Sequence, residues 1–304
     1  MSNKTPTFKI AFCGLDNSGK TSILLVLEHK FSLLTNISPT KGVDRQEFDV
    51  LGHPIIKWDF GGQQQFRENY FKTNQLESTD LIFYVIDMQD SKRFAESFQY
   101  FSEIIDFFKK INQKFPHLVI CLHKVDPDLV NNPQIQANIQ ECEKTLQDLI
   151  DVNCITFQTT IYNNWSVRKA FSKGLLKLSP KSTLLDTILE DFLSITKSDT
   201  VLLLDTDALV FSEMTHDPES YQISNILSPH LATMADKLLK YGKEIEVFEG
   251  KIGGWIYFKP LFIRQKTFYL VIFNKKSDSF EEINFALPQL TEKIANTLQT
   301  FFVG

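Results

Sequence analysis

Residues 14–21 match a phosphate-binding motif. They read GLDNSGKT and directly follow an apolar run. They satisfy G-x-x-x-x-G-K-[ST], a loop whose backbone N–H groups wrap phosphate oxygens while the next helix N-terminus adds positive potential. In such loops a lysine reaches the outer phosphates and a hydroxyl ligates magnesium, roles predicted here for Lys20 and Thr21. The residues expected to contact nucleotide are Gly14, Asp16, Asn17, Ser18, Gly19, Lys20, Thr21 and Ser22.

A second motif, WDFGGQ, ends at Gln63. Asp59 supplies an acid at a strand terminus, where it can hold a magnesium-bound water. Gly62 could offer its N–H to the γ-phosphate, and Gln63 is placed to orient an attacking water. Thr40 is expected to complete the magnesium shell and sense the γ-phosphate, with a solvated loop threonine as the alternative. The predicted catalytic set is Lys20, Thr40 and Gln63, and the predicted metal set is Thr21, Thr40 and, through water, Asp59.

A third motif, HKVD, would select the base. The Asp126 carboxylate can accept both the ring N–H and the exocyclic amine of guanine, a donor pair that adenine lacks. Lys124 can lay its stem along the base. Most GTPases have asparagine where His123 stands; histidine can still donate a hydrogen bond, and an ordinary histidine at a strand end is the alternative. The expected base contacts, the last two near the guanine oxygen, are His123, Lys124, Asp126, Thr160 and Ile161.

These motifs need a fold that brings strand ends together. The first part of the chain has the sequence pattern of such a fold. Up to about residue 178, short apolar runs alternate with longer helical segments, as in a parallel sheet wrapped by helices. Residues 46–50 precede a turn at Gly52 and should form a hairpin with the next strand. The predicted fold class is α/β, a P-loop GTPase domain with a mostly parallel sheet and helices on both faces. Its strands are predicted at residues 8–13, 55–59, 81–87, 118–123 and 154–158.

The remainder of the chain has a different order: helix, two strands, helix, three aromatic-rich strands, helix. A polar stretch at residues 179–183 is the predicted linker, so the domains are expected at residues 1–178 and 184–304. Ser228 is expected to cap the second helix, with Pro229 in its first turn. The strands are predicted at residues 201–205, 208–213, 244–248, 255–262 and 267–273. This α+β segment contains no obvious catalytic constellation.

Composition limits the classes of partner. The chain has 304 residues, 43% of them hydrophobic, and a formal net charge of -5. The length favours two domains, and the absence of a broad basic surface argues against nucleic acid as the main partner. Four scattered cysteines form no metal-ligand spacing and are typical of a reduced, intracellular protein.

Nothing in the sequence predicts a direct membrane anchor. No apolar run reaches the roughly 18 to 20 residues of a membrane span, and the N-terminus lacks the apolar stretch of a signal peptide. Ser2 stands where myristoylation needs glycine, and the tail after Thr300 carries no prenylatable cysteine. We therefore expect a cytoplasmic protein that reaches a membrane, if at all, through partners.

Taken together, the motifs resemble the Rag/Gtr branch of the Ras superfamily over nearly the whole chain. The resemblance is carried by WDFGGQ with the following Phe66, Glu68, Asn69, Tyr70 and Phe71, by the histidine-type HKVD, and by FQTTIY at residues 157–162. Residues 14–16, GLD, are closer to the Arf-like pattern. The second half resembles that family's roadblock domain, a longin-like fold.

The resemblance implies GTP/GDP and Mg²⁺ as cofactors and GTP-switched signalling at an endomembrane surface. It further implies an activating protein, an exchange factor, a roadblock-type scaffold and dimerisation through the C-terminal domain. The sequence mixes features of the two Rag types, so a homodimer and a heterodimer both remain open.

Three functions compete. The first is a switch that hydrolyses GTP slowly, because no arginine lies in the P-loop and none is clearly positioned to act in cis. The second is a scaffold that stays loaded with nucleotide, against which Gln63 and Thr40 argue. The third is an Arf-like trafficking GTPase with an unrelated appended domain, which would insert into membranes directly and against which Ser2 argues.

Overall fold

The computed structural model describes residues 7–38, 40–50, 53–149, 154–263, 266–276 and 280–301. The chain divides into two compact units, Met1–Leu178 and Ser179–Gly304. The predictions made at Ser2, at Gly52 and for residues 302–304 lie outside the described residues. Within the described part, no helix combines the length and apolar character needed to cross a membrane.

The first unit is built on a six-stranded sheet with the order β2-β3-β1-β4-β5-β6. Strands β1, β3, β4, β5 and β6 run parallel, and β2 pairs antiparallel with β3, which confirms the predicted hairpin. This mostly parallel sheet confirms the predicted fold class. Its strands are β1 Phe8–Cys13, β2 Val43–Val50, β3 His53–Phe60, β4 Leu81–Asp87, β5 His117–His123 and β6 Cys154–Thr159. Its helices are α1 Lys20–Leu27, α2 Gln64–Lys72, α3 Phe94–Lys110, α4 Pro133–Leu149 and α5 Asn164–Lys177.

Helices cover both faces of this sheet. Neighbouring residues in a strand point to opposite faces, and two neighbouring residues of β4 each contact a different helix. Tyr84 packs on Phe101 of α3, with ring centroids 4.8 Å apart. Phe83 stacks instead on Phe171 of α5, with centroids 5.5 Å apart. A sheet covered on both faces needs strands that are apolar throughout, and residues 81–86 are all buried.

The second unit contains a five-stranded antiparallel sheet with the order β8-β7-β11-β10-β9. Its strands are β7 Thr200–Asp205, β8 Val210–Thr215, β9 Phe248–Lys251, β10 Trp255–Ile263 and β11 Lys266–Asn274. Its helices are α6 Ser182–Thr196, α7 Pro218–Leu239 and α8 Phe280–Gln299. The consecutive residues Val201, Leu202, Leu203 and Leu204 have no exposed surface, so both faces of β7 are covered.

The predicted linker at residues 179–183 is shorter in the structure. Helix α6 already begins at Ser182. Ser179 is buried and its hydroxyl donates a 2.5 Å hydrogen bond to the carbonyl oxygen of Phe301. The residues that break the sequence pattern are therefore packed within the second unit.

The predicted start of the second helix in this unit is wrong. Helix α7 begins at Pro218, where the side chain of Asp217 caps it by accepting the N–H of Ser220 at 2.7 Å. Ser228 and Pro229 lie inside the helix, and the Ser228 hydroxyl donates to the carbonyl of Ser224 at 2.6 Å. A serine or an aspartate before a proline can each cap a helix N-terminus. The earlier pair, Asp217 and Pro218, begins the helix in this structure.

The strand predicted at residues 244–248 is also displaced. Strand β9 covers Phe248–Lys251 and pairs with β10 through Gly250 and Ile256. Glycine is depleted in strands, so residue type gives little indication that Gly250 belongs to one. Strand β8 is likewise shifted to Val210–Thr215 from the predicted residues 208–213, since Ala208 adopts a left-handed turn conformation with φ of 56°.

Candidate functional site

The loop between β1 and α1 joins a buried strand to a helix N-terminus through glycines that no other residue could replace without movement. Gly19 has φ of 99°, in the left-handed region. A Cβ at that position would overlap the ring of His123 from the end of β5. The loop is thus pressed against the neighbouring strand ends, which is why the sequence has glycine there.

Lys20 is buried in this loop, with 5% of its surface exposed. Its Nζ donates to the carbonyl oxygens of Leu15 at 2.7 Å and Gly14 at 3.1 Å, and lies 3.4 Å from the hydroxyl of Ser18. Burial lowers the pKa of Lys20 to about 8, although the nearby charge of Asp59 opposes that shift. An anion in the loop would favour the charged form, because an opposite charge raises the pKa of a buried lysine.

Three side chains from three separate segments converge beside Lys20. Asp59, at the end of β3, accepts hydrogen bonds on Oδ2 from the hydroxyls of Thr21 at 2.7 Å and Thr40 at 3.1 Å. The two hydroxyl oxygens lie 3.1 Å apart. The other carboxylate oxygen, Oδ1, is buried and has no hydrogen-bond partner among the residues that the structure describes. A buried carboxylate oxygen of this kind calls for a cation or an ordered water, and the hydroxyl and carboxylate oxygens are ligands that magnesium prefers.

The segment after β3 lies directly on the phosphate-binding loop. A Cβ at Gly62 would overlap the backbone of Leu15 and Asp16, so only glycine permits this approach. The hydroxyl of Tyr70 on α2 donates to the carbonyl oxygens of Gly42 at 2.7 Å and Gly61 at 3.1 Å. The loop that carries Thr40 and the loop that carries Gly62 are therefore held by one side chain.

Gln63 precedes α2 and accepts a hydrogen bond on Oε1 from Gln65 at 3.0 Å. It borders a cleft of about 240 Å³ together with residues of the phosphate-binding loop. The predicted residues that line this cleft are Asp16, Asn17, Gly19, Lys20, Thr21, Ser22, Thr40, Gly62 and Gln63. Gly14 and Ser18 contact the buried Lys20 from the same loop, as described above. The structure thus brings most of the predicted phosphate, metal and catalytic residues to one cleft, and Asp59 contacts the cleft through the hydroxyls of Thr21 and Thr40.

The predicted base-reading residue, Asp126, uses both of its carboxylate oxygens in this structure. Oδ1 accepts from the Thr160 hydroxyl at 2.6 Å, and Oδ2 accepts from the side-chain amide of Gln89 at 2.8 Å. The same amide donates to the carbonyl of Lys124 at 2.9 Å. The two donors of guanine would bond one to each carboxylate oxygen, so the donor at Oδ2 would compete with Gln89. Sequence reasoning missed Gln89, which belongs to no motif.

The other residues predicted near the base have distinct placements. Lys124 donates to the carboxylate of Asp87 at 2.6 Å. The backbone N–H of Thr160 donates to the Ser166 hydroxyl at 3.1 Å. Ile161 follows in a turn and is partly buried. Thr160 thus contributes its hydroxyl to Asp126, a contact that the sequence did not predict.

His123 does not face open space. The residue is 2% exposed, and its Nδ1 lies 2.9 Å from the Thr159 hydroxyl. Burial, together with the charge of Lys124, lowers the pKa of His123 to about 4, so that the ring is neutral at pH 7. The ring fills the space beside Gly19, and His123 therefore connects the phosphate-binding loop to the end of β6.

An arginine that sequence reasoning passed over contacts the phosphate-binding loop. Arg93 donates to the carboxylate of Asp16 at 2.7 Å and to the Asp16 carbonyl at 3.2 Å. The prediction that no arginine is clearly positioned to act as a finger in cis stays a prediction, because these contacts bind Arg93 to the loop itself. These residues are far apart in sequence, and no spacing rule connects them.

Comparison with known proteins gives two findings. The family model for the Gtr1/RagA G protein conserved region matches residues 9–238, which is more than half of the chain. Ras-related GTP-binding protein B of Rattus norvegicus is 30% identical over 184 residues, equal to 58% of this chain and 47% of that protein. The aligned part thus spans about half the length of that curated relative.

Proposed function

This chain belongs to the Gtr1/RagA G protein family, and we propose that it is a molecular switch that binds GTP with magnesium and hydrolyses it slowly. One observation carries this proposal: Lys20, Gly62 and Gln63 border the same cleft as the hydroxyls that meet Asp59. A loop that only stabilised the fold would need neither a buried cation nor a carboxylate oxygen left without a donor.

The phosphates are proposed to lie in the loop between β1 and α1. Lys20 would exchange its contacts with the carbonyls of Gly14 and Leu15 for charged phosphate oxygens, which are stronger acceptors. The N-terminus of α1 would add its backbone N–H groups and its dipole. Ser18 and Ser22 belong to the same loop and helix turn and would complete the cradle.

Magnesium is proposed to be held by Thr21 and Thr40, with Asp59 acting through a water. When bound, the metal would neutralise charge on the outer phosphate oxygens. Asp59 already orients both hydroxyls, and its unpartnered Oδ1 can accept a hydrogen bond from a water on the metal. Because Thr40 lies in the loop tied through Tyr70 to Gly61, the contact of Thr40 would report the γ-phosphate to the segment before α2.

Hydrolysis is proposed to use Gln63 to orient the attacking water. Its rate should be low in the isolated protein, because Arg93 is already bonded to Asp16 and Glu96 and is not free to approach the transferred phosphoryl group. An activating protein would supply the missing charge, and an exchange factor would open the site to release GDP.

Guanine specificity is proposed to reside in Asp126, with Lys124 beside the base. Gln89 bonds to Asp126 where the donors of guanine would bond, so its amide stands in for the base in this structure. The Thr160 hydroxyl holds the other carboxylate oxygen in place.

The second unit is proposed to be a roadblock-like dimerisation domain. Strands β8 and β9 form the two edges of its sheet, and an exposed edge can pair with a partner strand. The partner would be a second copy of this chain or a related GTPase, and a roadblock-type scaffold would recruit the pair to a membrane surface. The described residues of its aromatic strands include no catalytic cluster, which favours association over chemistry.

Single-turnover hydrolysis tests the enzymatic part of this proposal. The wild-type chain, loaded with GTP and magnesium, should convert it to GDP slowly. The variant Gln63→Leu should bind GTP with unchanged affinity and hydrolyse it at least about tenfold more slowly, because leucine cannot hydrogen-bond to the attacking water. Equal rates for both proteins would remove Gln63 from the mechanism, and no turnover by wild type would favour the nucleotide-loaded scaffold.

A further inference from the structure

The residues that line the cleft proposed to hold phosphates include an acidic one, Asp16. Two negative charges in the same partly enclosed site repel each other, and the repulsion grows with the charge of the ligand. A nucleoside triphosphate would therefore suffer more from a bare Asp16 than a diphosphate, because it carries the additional terminal phosphate.

Arg93 meets this charge directly. The guanidinium uses one terminal nitrogen for the Asp16 carboxylate at 2.7 Å and the other for the Asp16 carbonyl at 3.2 Å. It therefore fixes both the side chain and the backbone of one loop residue. Burial alone would raise the pKa of Asp16, but the hydrogen bond and charge of Arg93 outweigh it and hold that pKa below its ordinary value.

The arginine is itself held in place from behind. Its Nε donates to Glu96 at 3.0 Å, and the second oxygen of Glu96 accepts from Arg67 at 2.5 Å. Arg67 is buried on α2, and its guanidinium lies over the ring of Tyr100, 5.0 Å from the centroid. Hydrogen bonds from Arg93 and Arg67 lower the pKa of Glu96, so this bridging carboxylate stays charged. The chain of contacts runs from the phosphate-binding loop to the helix that Gln63 precedes.

This arrangement has little value as a stabilising ion pair. The side chains of Arg93 and Asp16 are 31% and 41% exposed, and pairs that exposed contribute at most about 1 kcal/mol to folding. Its effect on a ligand is different, because the charge that it cancels borders the ligand site itself.

We propose that Arg93 is a positioning residue that neutralises Asp16 and so sets the preference of this site for GTP over GDP. The inference rests on the proposed function, since it presumes that the cleft binds nucleotide. Arg93 acts on the loop and need not touch the transferred phosphoryl group.

The test is the ratio of GTP to GDP affinity, measured by equilibrium titration of the full-length protein at saturating magnesium. Arg93→Met should lower the affinity for GTP about tenfold more than the affinity for GDP. This is the effect expected of one uncompensated charge at a partly exposed site. Arg93→Lys keeps the charge and should recover most of the ratio. Lys92→Met is the matched control, because it removes the same charge from the adjacent exposed residue and should leave the ratio unchanged.

A double-substitution cycle separates charge from structure. Arg93 is proposed to act by holding the Asp16 carboxylate, and an Asp16→Asn background removes that carboxylate, so adding Arg93→Met there should leave the ratio within about twofold. A loss of the same size in both backgrounds would overturn the inference, because it would show that Arg93 acts on the ligand directly or through folding, and not through Asp16. An unchanged ratio in Arg93→Met alone would also overturn it. If wild type bound neither nucleotide, the proposed function would fail and the inference with it, which a wild-type titration shows before any variant is made.

Discussion

Asp59→Asn probes the proposed magnesium site without changing its size. Asp59 is 3% exposed and accepts hydrogen bonds from the hydroxyls of Thr21 and Thr40 on one oxygen. Its other oxygen has no partner in the described part of the chain. An asparagine can keep its oxygen on the two hydroxyls. Its NH₂ group then occupies the Oδ1 position, where it would oppose the hydrogens of a water bound to the metal.

The expected magnitude follows from that change. Loss of one outer carboxylate around a metal typically lowers metal affinity 10- to 100-fold, or about 1.4 to 2.7 kcal/mol. The assay is the release rate of a fluorescent GDP or GTP analogue over a series of buffered free magnesium concentrations. The magnesium concentration that halves the release rate should rise by about 10- to 100-fold in Asp59→Asn. Saturating magnesium should restore most of the nucleotide affinity.

Asp87→Asn is the matched control, because Asp87 ends β4, which β1 separates from β3, and accepts a hydrogen bond from Lys124 at 2.6 Å. It should leave the magnesium midpoint unchanged, whatever it does to base binding. A midpoint in Asp59→Asn within about twofold of wild type, or an equal shift in both variants, would refute the assignment of Asp59 to the metal.

The other predictions concern the remaining parts of the account. Lys20→Ala should lower the affinity for GTP and GDP on the order of 100-fold, because it removes the buried positive charge proposed to contact the phosphates. Unchanged affinities in a titration would exclude that role. Asp126→Asn should lose roughly 100-fold or more in GTP affinity and gain affinity for xanthosine triphosphate, whose ring has an acceptor where guanine has an amine; retained GTP preference would contradict it. His123→Asn should flatten the pH dependence of unfolding. The pKa of His123 falls from 6.5 to about 4 on folding, so the wild-type chain loses stability on the order of 3 kcal/mol as the pH drops through that window, and an unaltered profile in denaturant titrations would refute this. Residues 1–178 should bind GTP as a monomer while the full chain dimerises in light scattering, and a dimeric fragment would defeat the assignment of association to the second unit.

The order of strands and helices in the first unit was predictable because the sequence patterns that indicate them are local. Each motif follows an apolar strand, and parallel strands collect their carboxyl ends at one edge of the sheet. That rule was enough to expect Thr21 and Asp59 close together, and their side chains meet at 2.7 Å.

The second unit was harder because polar residues are buried in it. Ser220, Ser224 and Ser228 have no exposed surface and follow one another at helical spacing on α7. A search for apolar periodicity does not register a buried stripe of serines, so the helix was predicted to begin about three turns late, at Ser228. Tertiary packing, which no window of sequence contains, decides that boundary.

The contacts that sequence reasoning missed in the site are all made between loops. Gln89 meets Asp126 and Arg93 meets Asp16 because the segment after β4 folds over two other strand ends. Neither contact follows from a spacing or a residue type, since glutamine and arginine are common on surfaces. The positions of Gln89 and Arg93 depend on the path of the loop after β4, which the sequence alone does not reveal.

The most direct test of the central claim is an equilibrium titration of the full-length protein with GTP, GDP and ATP, each with magnesium. The account predicts that GTP and GDP bind and that ATP binds at least about 100-fold more weakly, because Asp126 has no donor pair to accept from adenine. Equal binding of ATP, or no binding of any of the three nucleotides, would contradict the claim that this cleft is a guanine-nucleotide site.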